Sequence, residues 1–274
     1  MEVKIPRLMI AIVISVFMTL EVFGQEMYQP VYISVQKMHW NMDKKDFKME
    51  DWVAMEKEFL DKVIQKNDLI IASNVLLHSM TPDNTELLYV TVYNSWDAIE
   101  KAADKNGELI RAAWPDVEKR RAFFTNRRSY YDRSHSDEIF MSYPGAKSLK
   151  KEDGKRYYFY VRKNYMAFPE GGSADEFDSL SKEYIENVFH KNNLIKAYYP
   201  HVHLYGTNSR DFIEVFVVES MADLEKMFES NDKLYKEHWP DEAKRKDMEA
   251  KMEKYFLPNH SDYLYRLVPE LSKG

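Results

Sequence analysis

The sequence repeats itself, and the repeat limits the fold more than any other feature. Trp114-Pro115-Asp116 recurs as Trp239-Pro240-Asp241, and His135-Ser136-Asp137 recurs as His260-Ser261-Asp262, each 125 residues later. At that offset residues 55–144 align with 180–269 without a gap, and 26 of the 90 positions are identical. Lys57/Lys182, Asn67/Asn192, His78/His203, Val90/Val215, Arg120/Arg245 and Tyr130/Tyr255 are among them. Upstream, one residue of slippage pairs Tyr32/Tyr158, Val35/Val161 and Lys37/Lys163. Chance does not place so many matches on one diagonal, so both halves must adopt one architecture. The reading gives a first repeat over 25–144, a polar, glycine-flanked linker over 145–155 (GAKSLKKEDGK) and a second repeat over 156–274.

Within the first repeat, alternation over Val31–Trp40 predicts a strand, with Val31, Ile33 and Val35 on one face and Tyr32, Ser34 and Gln36 on the other. Met49–Asn67 carries a helical stripe of Trp52, Met55, Phe59 and Val63. Two strands follow, split by the turn Thr81-Pro82-Asp83-Asn84. Ser95 caps a helix that runs to Trp114, Pro115 opens another as its first residue, and Glu138–Tyr143 is the fourth strand. The second half repeats this, with strands over 157–166, 194–205, 212–218 and 262–268 and helices over 174–192, 221–239 and 240–256.

The order β-α-β-β-α-β, twice over, is the split βαβ or ferredoxin-like unit. Such a unit leaves one sheet face bare of helices, and aromatic residues on both strand faces (Tyr32, Tyr158, Tyr160) fit a sheet buried twice. The fold class expected is α+β: two tandem ferredoxin-like repeats packed sheet to sheet as an intramolecular barrel. In element order and duplication the chain resembles the dimeric α+β barrel superfamily, in a fused two-repeat form. That resemblance implies cofactor-free monooxygenases, haem-degrading enzymes, cyclases, isomerases and plain binding proteins as relatives, and fold alone does not choose among them. The haem-degrading branch uses an Asn on the first strand with a Trp and a His on the second helix. Here Asn164, His238 and Trp239 match in type, but His238 and Trp239 are adjacent and cannot share one helical face. No cofactor is expected.

Export is expected as well. Lys4 and Arg7 precede the uncharged run Leu8–Leu20, and Val22 and Gly24 suit a signal-peptidase site before Gln25. Residues 1–24 therefore read as a signal peptide, and the mature chain as periplasmic or extracellular, without stable membrane insertion. The chain has no cysteine, which excludes disulfides, thiolate metal sites and thiol nucleophiles. A net charge of −6 gives no ground for a nucleic-acid partner. A barrel closed within one chain predicts a monomer with a small-molecule ligand.

Candidate site residues follow from these placements. His78 and His203 sit late in the second strand of each repeat, and strands two and four are sheet edges. If the edges of the two halves pair antiparallel, His78 approaches His260 and His203 approaches His135, giving two histidine clusters as candidate bases. In each His-Ser-Asp the His and Asp share a strand face, so a carboxylate can orient the imidazole, whereas a Ser-His-Asp triad cannot form from consecutive residues. His201-Val202-His203 could chelate, but position 201 matches Leu76 in the first copy and no third ligand is evident, so no metal is expected. Candidate ligand-binding residues are Tyr32, Gln36, Tyr158, Tyr160 and Arg162 on strand faces, with Trp114 and Trp239 as cleft walls, or a sheet–helix cleft near His78 and His203. The expected function is exported binding of a small apolar or aromatic molecule. A cofactor-independent monooxygenase, isomerase or cyclase with a histidine base, and a non-catalytic interaction module, are the alternatives.

Overall fold

The structure is a computed structural model that describes residues 28–150 and 154–274. The signal-peptide reading of 1–24 and part of the linker fall outside the described residues.

Each half supplies four strands and three helices. The first gives β1 (Tyr32–His39), α1 (Met49–Lys62), β2 (Ile70–Met80), β3 (Glu86–Tyr93), α2 (Trp96–Ala113), α3 (Val117–Ser129) and β4 (Ser136–Ser142). The second gives β5 (Tyr158–Met166), α4 (Ala174–Tyr184), β6 (Ala197–Tyr205), β7 (Asp211–Val218), α5 (Met221–His238), α6 (Glu242–Glu253) and β8 (Phe256–Leu267). The eight strands close into one antiparallel barrel in the order β1-β3-β2-β8-β5-β7-β6-β4. The halves join where β2 pairs with β8 and β4 pairs with β6, so each second strand meets the other copy's fourth. Closure leaves neither sheet with a free edge.

The strand faces that carry no helices turn inward. Ile33, Phe140 and Ile213 pack there with Val35, Val90, Val161 and Val215, and Leu76, Phe159, Val217, Tyr265 and Leu267 continue the same interior. The opposite faces meet the helices. Trp52 and Met55 of α1 bury against Val75 and Leu87 in the first half, and Met227 of α5 packs on Tyr198, Phe216 and Leu264 in the second. Because side chains alternate along a strand, Tyr160, Arg162 and Glu214 lie on the helix side while Val161, Lys163 and Val215 point into the barrel.

Local signals place the helix starts. Ser95 Oγ accepts from Ala98 N–H at 3.1 Å, and Ser220 Oγ from Asp223 N–H at 3.1 Å. The third helices correct the expectation that Pro115 is the first helical residue. Asp116 and Asp241 are the caps, Asp116 accepting from Lys119 N–H at 2.9 Å and Asp241 from Ala243 N–H at 2.8 Å. An Asp side chain that reaches the orphan amides takes the cap itself, and the proline falls just outside. Another difference lies past α1 and α4. The first copy winds Ile64–Lys66 as a 3-10 turn, and the second winds Ile185–Phe189 as a π turn.

The duplicated Asn67 and Asn192 explain themselves. Asn67 donates to Ala102 O and Asn106 Oδ1 and accepts from Leu69 N–H; Asn192 donates to Met227 O and Asn231 Oδ1 and accepts from Leu194 N–H. Both are buried, and each ties the end of the first helical segment to the next helix and the second strand. No described helix is long and apolar enough to cross a membrane.

Candidate functional site

The two sheet–helix interfaces have the same ancestry and different contents. In the second half a cleft of about 530 Å³ lies between the sheet and α5 and α6. Tyr160, Arg162, Glu214 and Phe216 form its floor; Met227, Phe228, Asn231, Asp232 and Tyr235 come from α5 and Met248, Glu249, Met252 and Glu253 from α6. Tyr184 and Phe189, at the two ends of the π turn, close a third side. A π turn widens a helix locally and is often found beside functional sites.

Strand register builds the polar floor. Arg162 on β5 stands opposite Glu214 on β7 and opposite Asp262 on β8, a row of carboxylate, guanidinium and carboxylate across three strands. Glu214 accepts from Tyr198 Oη at 2.7 Å and from Asn164 Nδ2 at 2.9 Å. Burial nevertheless pushes its carboxyl above the ordinary value, against the pull of these donors and of Arg162. Tyr160 Oη donates to Asp262 at 2.6 Å, and burial together with that carboxylate raises the phenol. Tyr184 is pushed up to about 12, by burial first and then by Glu214. Arg162 Nη2 donates to His260 Nε2 at 3.0 Å, and His260 Nε2 is 3.1 Å from Asp262 Oδ2. The buried Arg162 Nε has no hydrogen-bond partner, with Asp262 Oδ1 4.0 Å away.

The first half has filled the corresponding space. Position for position, Arg162 becomes Gln36, Glu214 becomes Tyr89 and Met252 becomes Arg127. Arg127 makes a bidentate bond to the buried Glu56 at 2.8 and 2.9 Å and lies 4.2 Å from the Phe59 ring centre. Tyr131 Oη donates to Glu56 at 2.6 Å and meets Tyr89 Oη at 2.5 Å, while Trp52 Nε1 donates to Tyr131 Oη at 2.6 Å. This closed network fills the space that is open in the second half. Glu56 did not stand out in the sequence, because its equivalent is Ser181 and no repeat match marks it, and Arg127 reads there as one of the arginines of a solvated helix face (Arg120, Arg121, Arg127, Arg128, Arg133), whereas it turns inward to Glu56.

The histidines are brought to different places from those expected. The edges do pair antiparallel, but His78 faces Tyr265 and His203 faces Phe140. Each is five residues out of register with His260 or His135, roughly 16 Å along a strand, so the two histidine clusters do not form. The reason is that the edges pair further along the fourth strands: β2 covers Leu264–Leu267 of β8 and β6 covers Ile139–Ser142 of β4, which leaves His260 and His135 beyond the paired segments. His78 bonds Thr81 Oγ1 through Nδ1 at 2.8 Å. The His–Asp pairing within each tripeptide forms in both copies: His135 Nε2 is 3.2 Å from Asp137, matching His260 and Asp262. His201 and His203 face the barrel interior near the buried Lys163–Asp211 pair, and no described group of three or more His, Asp or Glu side chains is arranged to hold a metal ion. Burial holds His201 down to about 4.

The remaining candidates separate cleanly. Tyr160 and Arg162 line the cleft. Tyr158 packs on the same face beside the Tyr160 and Leu264 cluster without lining the cleft. Gln36 donates to Asp137 at 3.0 Å, and Tyr32 sits edge-on to Trp96 at 6.2 Å. Trp114 stacks on Phe123 at 4.3 Å, and Trp239 packs with Tyr184 and Val188. Both tryptophans are buried where two helices join, Trp239 behind the cleft rather than in its lining and Trp114 in the filled first half.

With this geometry, comparison with known proteins becomes informative. No protein-family model matches the sequence, and a search of curated proteins returns no match. Among solved structures, a protein provisionally assigned as a monooxygenase from Fusobacterium nucleatum subsp. nucleatum is similar at a TM-score of 0.54 and 14% identity, over 88% of this chain and 94% of that one. A chlorite dismutase variant from Candidatus Nitrospira defluvii is similar at a TM-score of 0.52 and 13% identity, over 88% of this chain and 92% of that one. The fold is the dimeric α+β barrel. At such identities the likeness carries the fold and no chemistry.

Haem, used by one branch of α+β barrel proteins, does not fit this cleft. Asn164 is bonded to Glu214, His238 Nε2 is 3.1 Å from Glu183 Oε1, and Trp239 is packed away. No histidine lines the cleft to serve as the imidazole ligand that haem proteins commonly use.

Proposed function

We propose that this α+β barrel is an exported protein that binds a small apolar or aromatic molecule in the sheet–helix cleft of its second repeat. One observation carries the reading: of two interfaces with a common origin, the first is sealed by the Glu56–Arg127–Tyr131 network, whereas the second is open over a hydrogen-bonded polar floor. Methionine and aromatic walls around a few placed polar groups are the usual make-up of a ligand site. The test is native mass spectrometry of the purified mature chain beside Met252→Trp, which fills the cleft. A retained small molecule lost in the variant supports the reading. No retained molecule, and no thermal shift with any member of an aromatic ligand panel, overturns it.

A second reading rests on His260. Its imidazole stands outside the cleft lining but contacts the lining residue Arg162 and the Asp262 carboxylate, and under this reading it serves a cofactor-independent enzyme as the proton acceptor at the edge of the cleft. In that case His260→Gln abolishes turnover of the bound molecule while its affinity stays within about twofold. Turnover that survives the change removes the reading.

A further inference from the structure

The charge in the cleft narrows its ligand. A single cationic side chain, Arg162, lines it against four carboxylates, Glu214, Asp232, Glu249 and Glu253. Arg162 is already flanked in register by Glu214 and Asp262, so its charge is answered within the floor. Of the other acids Asp232 has Lys236 at 2.7 Å, and Glu249 and Glu253 stand exposed at the mouth on α6. The walls add aromatic faces. Tyr184 and Tyr235 lie 5.8 Å apart on the helix side, and Tyr160 stacks with Phe216 at 5.8 Å and meets Phe228 edge-on at 5.6 Å. Aromatic faces attract organic cations, and carboxylates in a partly dry cleft reinforce the attraction.

The first copy sharpens the point. Its residues at the four acidic positions are Tyr89, Gly107, Phe124 and Arg128, so none of the four acids is present there. At the positions of Tyr160, Phe216 and Phe228 it has Ser34, Thr91 and Ala103. The four acids therefore occur only in the copy with the open cleft, while the first copy keeps aromatic rings at other points of the same surface, Phe59, Tyr89 and Phe124 among them.

We propose that the cleft takes an organic cation, an amine or quaternary ammonium on an apolar or aromatic body, with the cationic group among Glu249, Glu253 and the tyrosines and an acceptor atom toward Arg162. The proposal rests on the ligand-binding reading above and gives it a substrate class.

The test uses three probes of similar size on the mature chain, followed by calorimetry and intrinsic fluorescence: benzyltrimethylammonium, benzyl alcohol and phenylmethanesulfonate. The cation is expected to bind at least about tenfold more tightly than the sulfonate, with a preference that shrinks as salt rises. In Glu249→Gln/Glu253→Gln, two changes at exposed positions, cation affinity falls several-fold while benzyl alcohol is unaffected. Equal binding of all three probes, or tightest binding of the sulfonate, overturns the cation proposal and leaves the cleft reading standing. Absence of binding by every probe, with Met252→Trp indistinguishable from the parent, overturns both.

Discussion

Gln36 and Arg162 occupy the same point of the two half-barrels, each directly opposite an aspartate, Asp137 on β4 and Asp262 on β8. Their other neighbours are Tyr89 and Glu214. Two exchanges thus separate the rows: Asp137-Gln36-Tyr89 holds one ionisable acid, Asp262-Arg162-Glu214 holds two acids and a guanidinium, and the side of the barrel with the latter row is the side with the cleft.

That row sets a pH dependence. Burial raises the carboxyl of Glu214 above its ordinary 4.5, and Arg162 holds it down. A carboxyl with a raised folded pKa holds its proton more tightly in the folded state. Its contribution is present below the unfolded value and is lost as pH rises through the folded one. Arg162→Gln removes the restraining charge, so Glu214 rises further and the variant loses more stability than the parent as pH climbs above the ordinary 4.5. Thermal melts across that range should show a steeper decline for Arg162→Gln, and Arg162→Gln/Glu214→Gln should remove the excess. Parallel curves for parent and single variant would mean that the guanidinium does not restrain Glu214.

The paired asparagines should act alike. Asn67→Ala and Asn192→Ala each strip a buried amide from two acceptors and one backbone donor. Leaving such groups unsatisfied costs about 2 kcal/mol. Urea unfolding should return that loss at both sites. A loss below about 0.5 kcal/mol at either would show that solvent replaces the amide there.

The seal in the first half should matter for stability and not for binding. Arg127→Met leaves Glu56 charged and buried, at about 3 kcal/mol. Glu56→Leu/Arg127→Met removes both charges and should recover most of the loss. Neither change touches the second-half cleft, so the affinity of a cleft ligand, measured on folded protein, stays constant. A change in that affinity would show that the two interfaces are coupled through the barrel.

The duplication made the barrel legible, because a βαββαβ unit with a bare apolar face has to cover that face and the second copy supplies the cover. Tyr160 and Arg162 could be picked out because the fifth strand mixes aromatic and polar side chains on one face of a sheet buried on both sides. Glu214, Glu249 and the methionines of α6 could not. Their meaning depends on which helix face meets the sheet, and α6 has a weak apolar stripe with Met248 its one buried side chain. The histidine clusters failed on register: a sequence pattern says that two edges pair antiparallel but not how far they slide, and His78 meets Tyr265 and His203 meets Phe140 instead of His260 and His135.

His201 provides the last prediction. It stands on β6 facing the barrel interior, its ring 6.5 Å from Phe140, and its buried Nδ1 has no hydrogen-bond partner. Burial lowers its pKa from 6.5 to about 4. A histidine with a depressed folded pKa must shed its proton to fold, so stability is full above the unfolded value and falls as pH drops from 6.5 toward 4. A shift of that size corresponds to about 3 kcal/mol at the acid end. Leu76 fills the equivalent place in the first copy, where it is buried in the barrel core, so His201→Leu gives the site a side chain this fold already accommodates. Denaturant unfolding of the parent should weaken progressively below pH about 6.5, and His201→Leu should flatten that limb while raising the plateau slightly. Should the variant keep the full acid limb, the proton responsible resides elsewhere.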